Sequence, residues 1–210
     1  MSRALLAVGW IAGASVVAST LVGCESSNRP NDPLVAGLDA NERQKITNAH
    51  REAKRAARET DPAKAELYYR RAVAYYAEYA PAWNNLGVTL MEQERFLEAN
   101  EAFQRASDLA PADPRPAYNQ GLLFFRRAYP REALPYFLRA LARDPHYLPA
   151  LRASVQTEVR LRETDQATLD RIQAALLLET NPKWQKFFEL QRIRVEADLT
   201  TPPVRRVFDE

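Results

Sequence analysis

Apolar and small residues return along most of this chain with a period of 34 positions. Gly87 and Gly121 are 34 residues apart, and Pro111 and Pro145 share that spacing. An internal period of this length predicts a repeat architecture, in which each unit buries its apolar face against the next unit. Columns of alanine and of aromatic residues keep the same period: Ala65, Ala99, Ala133 and Ala167; Tyr69, Phe103 and Phe137; Ala72, Ala106, Ala140 and Ala174.

The clearest unit is residues 80–113, with the sequence APAWNNLGVTLMEQERFLEANEAFQRASDLAPAD. It resembles the tetratricopeptide repeat, a unit of two antiparallel helices. The resemblance implies an all-α fold, a right-handed superhelical solenoid of helix pairs. Small Gly87 and Ala99 let the two helices approach closely, and Pro111 ends the second helix because its ring cannot continue it. The residues that match the pattern are Trp83, Leu86, Gly87, Ala99, Phe103, Ala106 and Pro111.

Three further copies flank this unit and depart from it in places. Val155 stands in the column of Gly87 and Arg171 in the column of Phe103, so the last copy diverges most. We predict four repeats and a capping helix, which covers the exposed face of the last repeat. The predicted ranges are 46–79, 80–113, 114–147 and 148–181 for the repeats and 182–199 for the capping helix.

The capping helix is predicted from a helix start at Asn181-Pro182 and an apolar stripe that follows it. We expect the stripe to pack on the fourth repeat. A dimer contact is the alternative, because the rings are large for a solitary cap. Two consecutive prolines then stop the helix, so residues 200–210 are predicted to be a disordered tail. The stripe consists of Trp184, Phe187, Phe188 and Val195.

The N-terminal segment has the pattern of a bacterial export signal. Arg3 precedes an uncharged run over residues 4–22, which gives a short positive region followed by an apolar one. The run is also close to the length of a membrane span, so an uncleaved helix is the alternative. Its ending, LVGC at residues 21–24, resembles the lipobox of bacterial lipoproteins.

The lipobox resemblance implies a lipid-anchored protein. Residues 1–23 would be removed as a signal peptide, and Cys24 would carry the acyl chains. Acylation also suits a lone cysteine, since a free thiol is reactive in an oxidising compartment. Lipoproteins kept at the inner membrane often carry Asp directly after the acylated Cys, but this chain has Glu25 there. The resemblance therefore favours the outer membrane, facing the periplasm. Residues 24–45 are predicted to be the acylated Cys and a flexible tether.

Composition argues against several other classes of protein. The 29 Lys and Arg residues nearly balance the 27 Asp and Glu residues, which gives no general attraction to nucleic acid. A single Cys excludes an intramolecular disulfide, and with only two His residues it leaves no usual zinc site. His50 and His146 lie in different repeats, and catalytic motifs such as Gly-x-Ser-x-Gly are absent. We therefore expect no enzyme, no cofactor and no metal site.

Binding chemistry is expected on the first helix of each pair. In the tetratricopeptide family these helices line a concave groove that takes extended or helical peptides. The implied groove combines an apolar floor with basic ends, which favours a partner with an apolar anchor and acidic flanks. The alternative is that its arginines only solvate the surface or pair with neighbouring carboxylates. The implied groove residues are Lys54, Arg58, Asn84, Asn85, Val88, Met91, Arg115, Tyr118, Asn119, Leu122, Phe125, Arg126, Arg152 and Arg160.

These features predict a membrane-anchored scaffold of the bacterial cell envelope. It would bind a protein or peptide partner in its groove and assist the assembly of an envelope complex. The plan of a lipobox followed by a short repeat array is similar to that of type IV pilus pilotins and of other envelope scaffolds. A self-associating structural lipoprotein without a separate peptide ligand is the alternative.

Overall fold

The computed structural model describes residues 38–200, which form nine helices and no strand. The predicted signal peptide, Cys24 and the tail beyond Thr200 lie outside these residues. Within the described range, no helix combines the length and the apolar composition needed to cross a membrane. The helices are α1 Ala40–Ala56, α2 Pro62–Tyr75, α3 Ala80–Glu92, α4 Phe96–Leu109, α5 Pro114–Arg126, α6 Pro130–Arg143, α7 Leu148–Leu161, α8 Gln166–Leu178 and α9 Pro182–Thr200.

The helices pack in chain order. Each helix contacts the next one along the chain, and the first helices of the second and third pairs, α3 and α5, also contact each other. Contacts between neighbours in sequence are the mark of a repeat solenoid, in which each unit rests on the units beside it. The predicted all-helical array of four pairs and a terminal helix is therefore confirmed.

Two glycines explain the strictest column of the repeat. A Cβ atom at Gly87 would lie 2.6 Å from ring atoms of Phe103, and a Cβ atom at Gly121 would lie 2.5 Å from the ring of Phe137. Both phenylalanine side chains are fully buried. The missing side chain on the first helix therefore leaves the space that the ring from the second helix fills.

The fourth pair has different residues at these two positions of the repeat. Val155 on α7 takes the glycine position and is fully buried, while Arg171 on α8 takes the phenylalanine position. Arg171 forms an ion pair with Glu158, a buried residue of α7. Burial raises the pKa of Glu158, and the neighbouring Arg171 opposes that rise only in part. The fourth pair thus has an apolar residue at the glycine position, and its residue at the phenylalanine position makes an ionic contact with Glu158.

The turns inside the second, third and fourth pairs share one backbone form. Glu94, Ala128 and Arg162 are spaced by 34 residues and have φ angles of 60°, 62° and 58°. The residue after each of them donates its N–H to a carbonyl five residues earlier, at 2.9–3.1 Å. This hydrogen bond is that of the Schellman motif at a helix C-terminus, in which the residue with the left-handed conformation is usually glycine. This turn could not be predicted from the residue types, because none of the three residues is glycine.

The first helix begins earlier than predicted. Residues 40–45 were expected to belong to the flexible tether, but α1 starts at Ala40. Asp39 accepts a hydrogen bond from the backbone N–H of Glu42, and the Glu42 side chain accepts one from the backbone N–H of Asp39. This capping box satisfies two of the unpaired donors at the start of a helix and fixes the boundary there.

The terminal helix α9 covers the fourth pair, as predicted. Its Phe188 and Val195 are buried among apolar residues of α7 and α8, and Trp184 and Phe187 pack at the edge of this cluster. The helix runs to Thr200, one residue beyond the predicted end. The predicted stripe therefore closes the core of the array at its C-terminal end.

Candidate peptide-binding surface

The first helices of the last three pairs present side chains at matching positions of the repeat. We call this the α3/α5/α7 surface. Asn119 of α5 bonds Asn84 of α3, and Arg160 of α7 lies over Phe125 of α5, so the three helices are neighbours. The half-buried or exposed residues that define the surface are Val88, Glu92, Leu122, Phe125, Arg126, Gln156 and Arg160.

The asparagines predicted for the groove form hydrogen bonds with one another within the protein. The side-chain amide nitrogen of Asn119 donates to the side-chain oxygen Oδ1 of Asn84 at 2.9 Å. The side-chain nitrogen of Asn84 in turn donates to Oδ1 of Asn85 at 3.2 Å. Asn84 and Asn119 are each 4% exposed, while Asn85 is half-buried at the edge of the chain of amides. The prediction that Asn84 and Asn119 line the groove is therefore wrong, because their amides join α3 to α5.

Of two large residues predicted for the groove floor, Met91 lies in the interior and Tyr118 is half-buried against other rings. Met91 is 4% exposed and belongs to the core of the first two pairs. Tyr118 packs with its ring 5.9 Å from that of Phe137 and 5.6 Å from that of Tyr147. Burial raises the pKa of the Tyr118 hydroxyl. Met91 is therefore not placed to bury an anchor from a partner, and Tyr118 is partly taken up by its contacts with the neighbouring rings.

Arg115 is held by the residue that starts its own helix. Asp113 accepts a hydrogen bond from the backbone N–H of Arg115 at 2.9 Å and thereby caps α5. The Arg115 guanidinium also bonds both oxygens of that carboxylate, at 2.7–3.0 Å. The alternative reading of the basic residues, pairing with a neighbouring carboxylate, therefore holds for Arg115.

Arg152 fastens the terminal helix to the array. Its guanidinium donates two hydrogen bonds of 2.7 Å to the carboxylate of Glu179 and lies 5.2 Å from the centre of the Trp184 ring. The Glu179 side chain is fully buried and also accepts from the backbone N–H of Asn181 at 2.8 Å. Burial raises the pKa of Glu179, but these bonds outweigh burial and hold it below its usual value. Arg152 is therefore committed to a structural ion pair.

The residues still able to meet a partner lie on α5 and α7. The Arg160 guanidinium sits 5.6 Å from the centre of the Phe125 ring, and that ring packs edge-on against Phe137 at 6.3 Å. Arg126 and Arg160 are exposed and form no ion pair with any of residues 38–200. Leu122 is half-buried one turn before Arg126. An aromatic floor therefore lies beside two unpaired guanidinium groups.

The other predicted groove residues lie further along the array. Val88 is half-buried on α3, beside Glu92, which is the acidic residue of the surface. Lys54 is exposed on α1, Arg58 is exposed in the turn after it, and neither makes an ion pair with the described residues. Sequence reasoning missed the partners of the committed arginines. Asp113, two residues from Arg115, was a visible signal, whereas Glu179 is 27 residues from Arg152 and gave none.

Comparison with known proteins identifies one of the repeats. The family model of the tetratricopeptide repeat matches residues 80–113. Residues 80–113 form a tetratricopeptide repeat. These residues hold α3, α4 and the Gly87–Phe103 contact. No curated protein sequence matches the chain.

Two solved structures share the arrangement of the helices. The structure of PilF from Pseudomonas aeruginosa is 24% identical, covers 71% of this chain and 77% of its own, and gives a TM-score of 0.52. The crystal structure of MamA is 14% identical, covers 73% of this chain and 81% of its own, and gives a TM-score of 0.50. These likenesses show a tetratricopeptide solenoid fold.

The chemistry of the described residues fits a scaffold. Tetratricopeptide scaffolds generally have no enzymatic activity. Among residues 38–200, no group of three His, Cys, Asp or Glu side chains is placed to hold a metal ion. What the α3/α5/α7 surface offers is apolar contact and positive charge, which are means of binding another chain.

Proposed function

We propose that this protein is a scaffold that binds a segment of another protein on its α3/α5/α7 surface. The observation that carries the proposal is the group formed by Leu122, Phe125, Arg126 and Arg160. Its two arginines have no carboxylate partner within residues 38–200, although other arginines of the array are paired. Tetratricopeptide repeats bind protein and peptide partners, and this group supplies the means of doing so here.

The same group indicates the chemistry of the partner segment. An apolar side chain from the partner would rest against Leu122 and the face of Phe125. A carboxylate beside it would pair with Arg126 or Arg160, whose planar guanidinium groups can donate two parallel bonds. Buried aromatic and arginine contacts dominate binding energy at protein interfaces. An apolar anchor with acidic flanks is therefore the expected motif.

The proposal includes a place in the cell, the bacterial envelope. The lipobox ending at Cys24 would tie the protein to a membrane, with the outer membrane facing the periplasm as its expected site. Its likeness to PilF is one of fold, and the plan of a lipobox plus a short array is similar to that of pilotins. Assistance in assembling an envelope complex is the role we propose for this plan.

Site-specific cross-linking in cells tests the binding surface. A photoreactive benzoylphenylalanine at Leu122 should join one discrete protein, and the product should disappear when Arg126 and Arg160 are both changed to Glu. Leu97, which is 74% exposed on α4, is the matched control position and should not give that product. An identical product at both positions, or one that survives the charge reversal, contradicts the proposed surface.

Self-association is the second candidate function, because the last two helices, α8 and α9, expose large apolar side chains. Leu177 is 88% exposed, Ile193 is 58% exposed and Leu190 is 45% exposed. A photoreactive residue at Ile193 distinguishes the two functions. A product of twice the chain mass at Ile193, with none from Leu122, would favour the structural oligomer over the partner-binding scaffold.

A further inference from the structure

The first helix pair has a free face on the side away from α3. We call it the first-pair face. It contains an open depression of about 490 Å³ between α1 and α2. The terminal helix α9 covers the last pair, but among residues 38–200 no helix covers this first one. The depression is lined by Arg51, Glu52, Arg55, Arg71, Ala74 and Tyr75.

The excess of basic over acidic residues in this protein is concentrated in the first pair. Residues 40–75 contain nine Lys and Arg and five Asp and Glu, whereas the whole chain contains 29 and 27. The rest of the chain is therefore slightly acidic. The first pair can therefore attract anionic surfaces, although the net charge of the whole chain is close to zero.

The arginines of the depression outnumber their partners. Glu52 accepts a hydrogen bond from Arg55 at 2.9 Å and lies 3.9 Å from Arg51, so one carboxylate serves two guanidinium groups. Arg71 forms no ion pair with the described residues and lies 5.9 Å from the centre of the Tyr68 ring. The side chains of Arg51 and Arg55 are 53% and 57% exposed. Anion-binding groups therefore remain open to the outside.

One carboxylate oxygen of Glu52 has no hydrogen-bond donor among residues 38–200. Glu52 is 4% exposed, and its Oε2 accepts no hydrogen bond within the described residues. A buried acceptor without a donor is uncommon in a folded protein. A ligand that suits this depression carries an anionic group for the exposed arginines.

We propose that the first-pair face binds an anionic phospholipid surface. Phosphodiester oxygens match the donor geometry of arginine, and a phosphatidylglycerol head group adds hydroxyl donors. Tyr75, which lines the depression, is 43% exposed, and Leu67, about two turns earlier on α2, is 48% exposed. An exposed tyrosine and an exposed aliphatic side chain on the same helix suit the boundary between head groups and acyl chains.

The position of this face in the chain favours a membrane over an acidic protein, and this step rests on the proposed lipid anchor. Only residues 25–39 separate Cys24 from α1. The tether predicted from the sequence would have a typical span of about 20 Å at that length. The first pair is then the part of the array closest to the bilayer. Docking it would hold the α9 end away from the membrane and leave the α3/α5/α7 surface open to a partner.

The test uses the full acylated chain in vesicles with brominated acyl chains, made of phosphatidylcholine alone or mixed with phosphatidylglycerol. An environment-sensitive dye is attached at Tyr75→Cys, or at Leu190→Cys on α9 as the control position. We expect bromine quenching at position 75 in vesicles that contain phosphatidylglycerol and not in phosphatidylcholine alone. Quenching should be absent at position 190 and should weaken as salt rises.

Charge variants make the test specific. Arg51→Glu with Arg71→Glu should reduce the quenched fraction at position 75 by roughly tenfold or more, from the loss of two basic contacts with the surface. Lys186→Glu with Arg194→Glu changes the net charge equally at the far end and should leave the quenching unchanged. Circular dichroism checks that each variant keeps its helices.

The remaining outcomes separate this proposal from the lipid anchor. The chain could float with both kinds of vesicle while quenching at position 75 is equal in both, or absent from both. This result supports the lipid anchor and contradicts binding of phospholipid by the first-pair face. A chain that does not float overturns the anchor; quenching at position 75 on adding phosphatidylglycerol vesicles then still supports the face. A dye response to an added acidic envelope protein, without quenching in any vesicle, shows that the face binds protein and overturns the lipid proposal.

Discussion

The contact between Gly121 and Phe137 allows a direct test of how the helix pairs are held together. Replacing Gly121 by Ala adds a Cβ atom that would meet the Phe137 ring at 2.5–2.6 Å. Both residues are buried, the phenylalanine completely, so the ring has little room to move. We therefore expect Gly121→Ala to lower the free energy of unfolding, although alanine favours helix over glycine.

Two opposing terms set the size of this effect. Overpacking a well-filled core costs about 1–3 kcal/mol, whereas alanine in place of a helical glycine contributes about 1 kcal/mol of stability. The expected net loss is about 1 kcal/mol. Ala74→Gly on the exposed face of α2 measures the second term by itself and should cost about 1 kcal/mol.

A double-mutant cycle isolates the contact. Phe137→Leu leaves a cavity and should destabilise the protein alone, but a smaller side chain makes room for the new Cβ atom. The double variant should then be more stable than the sum of the two changes predicts, by about 1–2 kcal/mol in denaturant titrations followed by circular dichroism. Simple additivity, or a Gly121→Ala protein more stable than the parent, would refute the reasoning.

Three further changes have expected outcomes. Ala128→Gly should raise the free energy of unfolding by up to about 1 kcal/mol, because glycine adopts the left-handed turn without strain; a thermal melt checks this. Arg152→Leu should cost about 2–3 kcal/mol in denaturant titrations, since it leaves the buried Glu179 carboxylate unpaired. Cys24→Ser should abolish metabolic labelling with a radioactive fatty acid, and labelled protein in that variant would contradict the lipid anchor.

The effect of Arg152→Leu should depend on pH with a definite sign. Arg152 and the backbone bonds hold the pKa of Glu179 below its usual value. The stability that this ionised group contributes is present above its unfolded pKa of about 4.3 and is lost as pH falls through the lower folded value. The difference between parent and variant should therefore be largest near neutral pH and shrink below about pH 4. A constant difference over that range would mean that the loss comes from packing alone.

The fold could be predicted from the sequence because its main contacts repeat. A glycine that must face a phenylalanine, as Gly87 faces Phe103, leaves a periodic trace, and so do the alanines between helices. The stripe of the terminal helix was visible for the same reason, since Phe188 and Val195 follow helical spacing. Features that do not depend on residue type left no trace, as at Ala128, where a left-handed turn forms without glycine.

The candidate site was predicted less well, because helical position does not determine what a polar side chain meets. Arg152 and Arg160 fall on the same face of α7, but only Arg152 has a buried carboxylate within reach. Asn84 and Asn119 similarly pair across neighbouring helices instead of facing outward. Such pairings join residues 27–35 positions apart and depend on how the helices stack.

The α3/α5/α7 surface is tested most directly by titrating the protein that cross-links at Leu122 against defined variants at low and high salt. Phe125→Ala should weaken binding about tenfold at both salt concentrations, because the apolar anchor loses its floor. Arg126→Ala combined with Arg160→Ala should weaken it mainly at low salt, where charge attraction is least screened. Leu97→Ala on the outer face should bind as the parent does. If the Phe125 and arginine variants both bind like the parent at both salt concentrations, the partner does not use this surface.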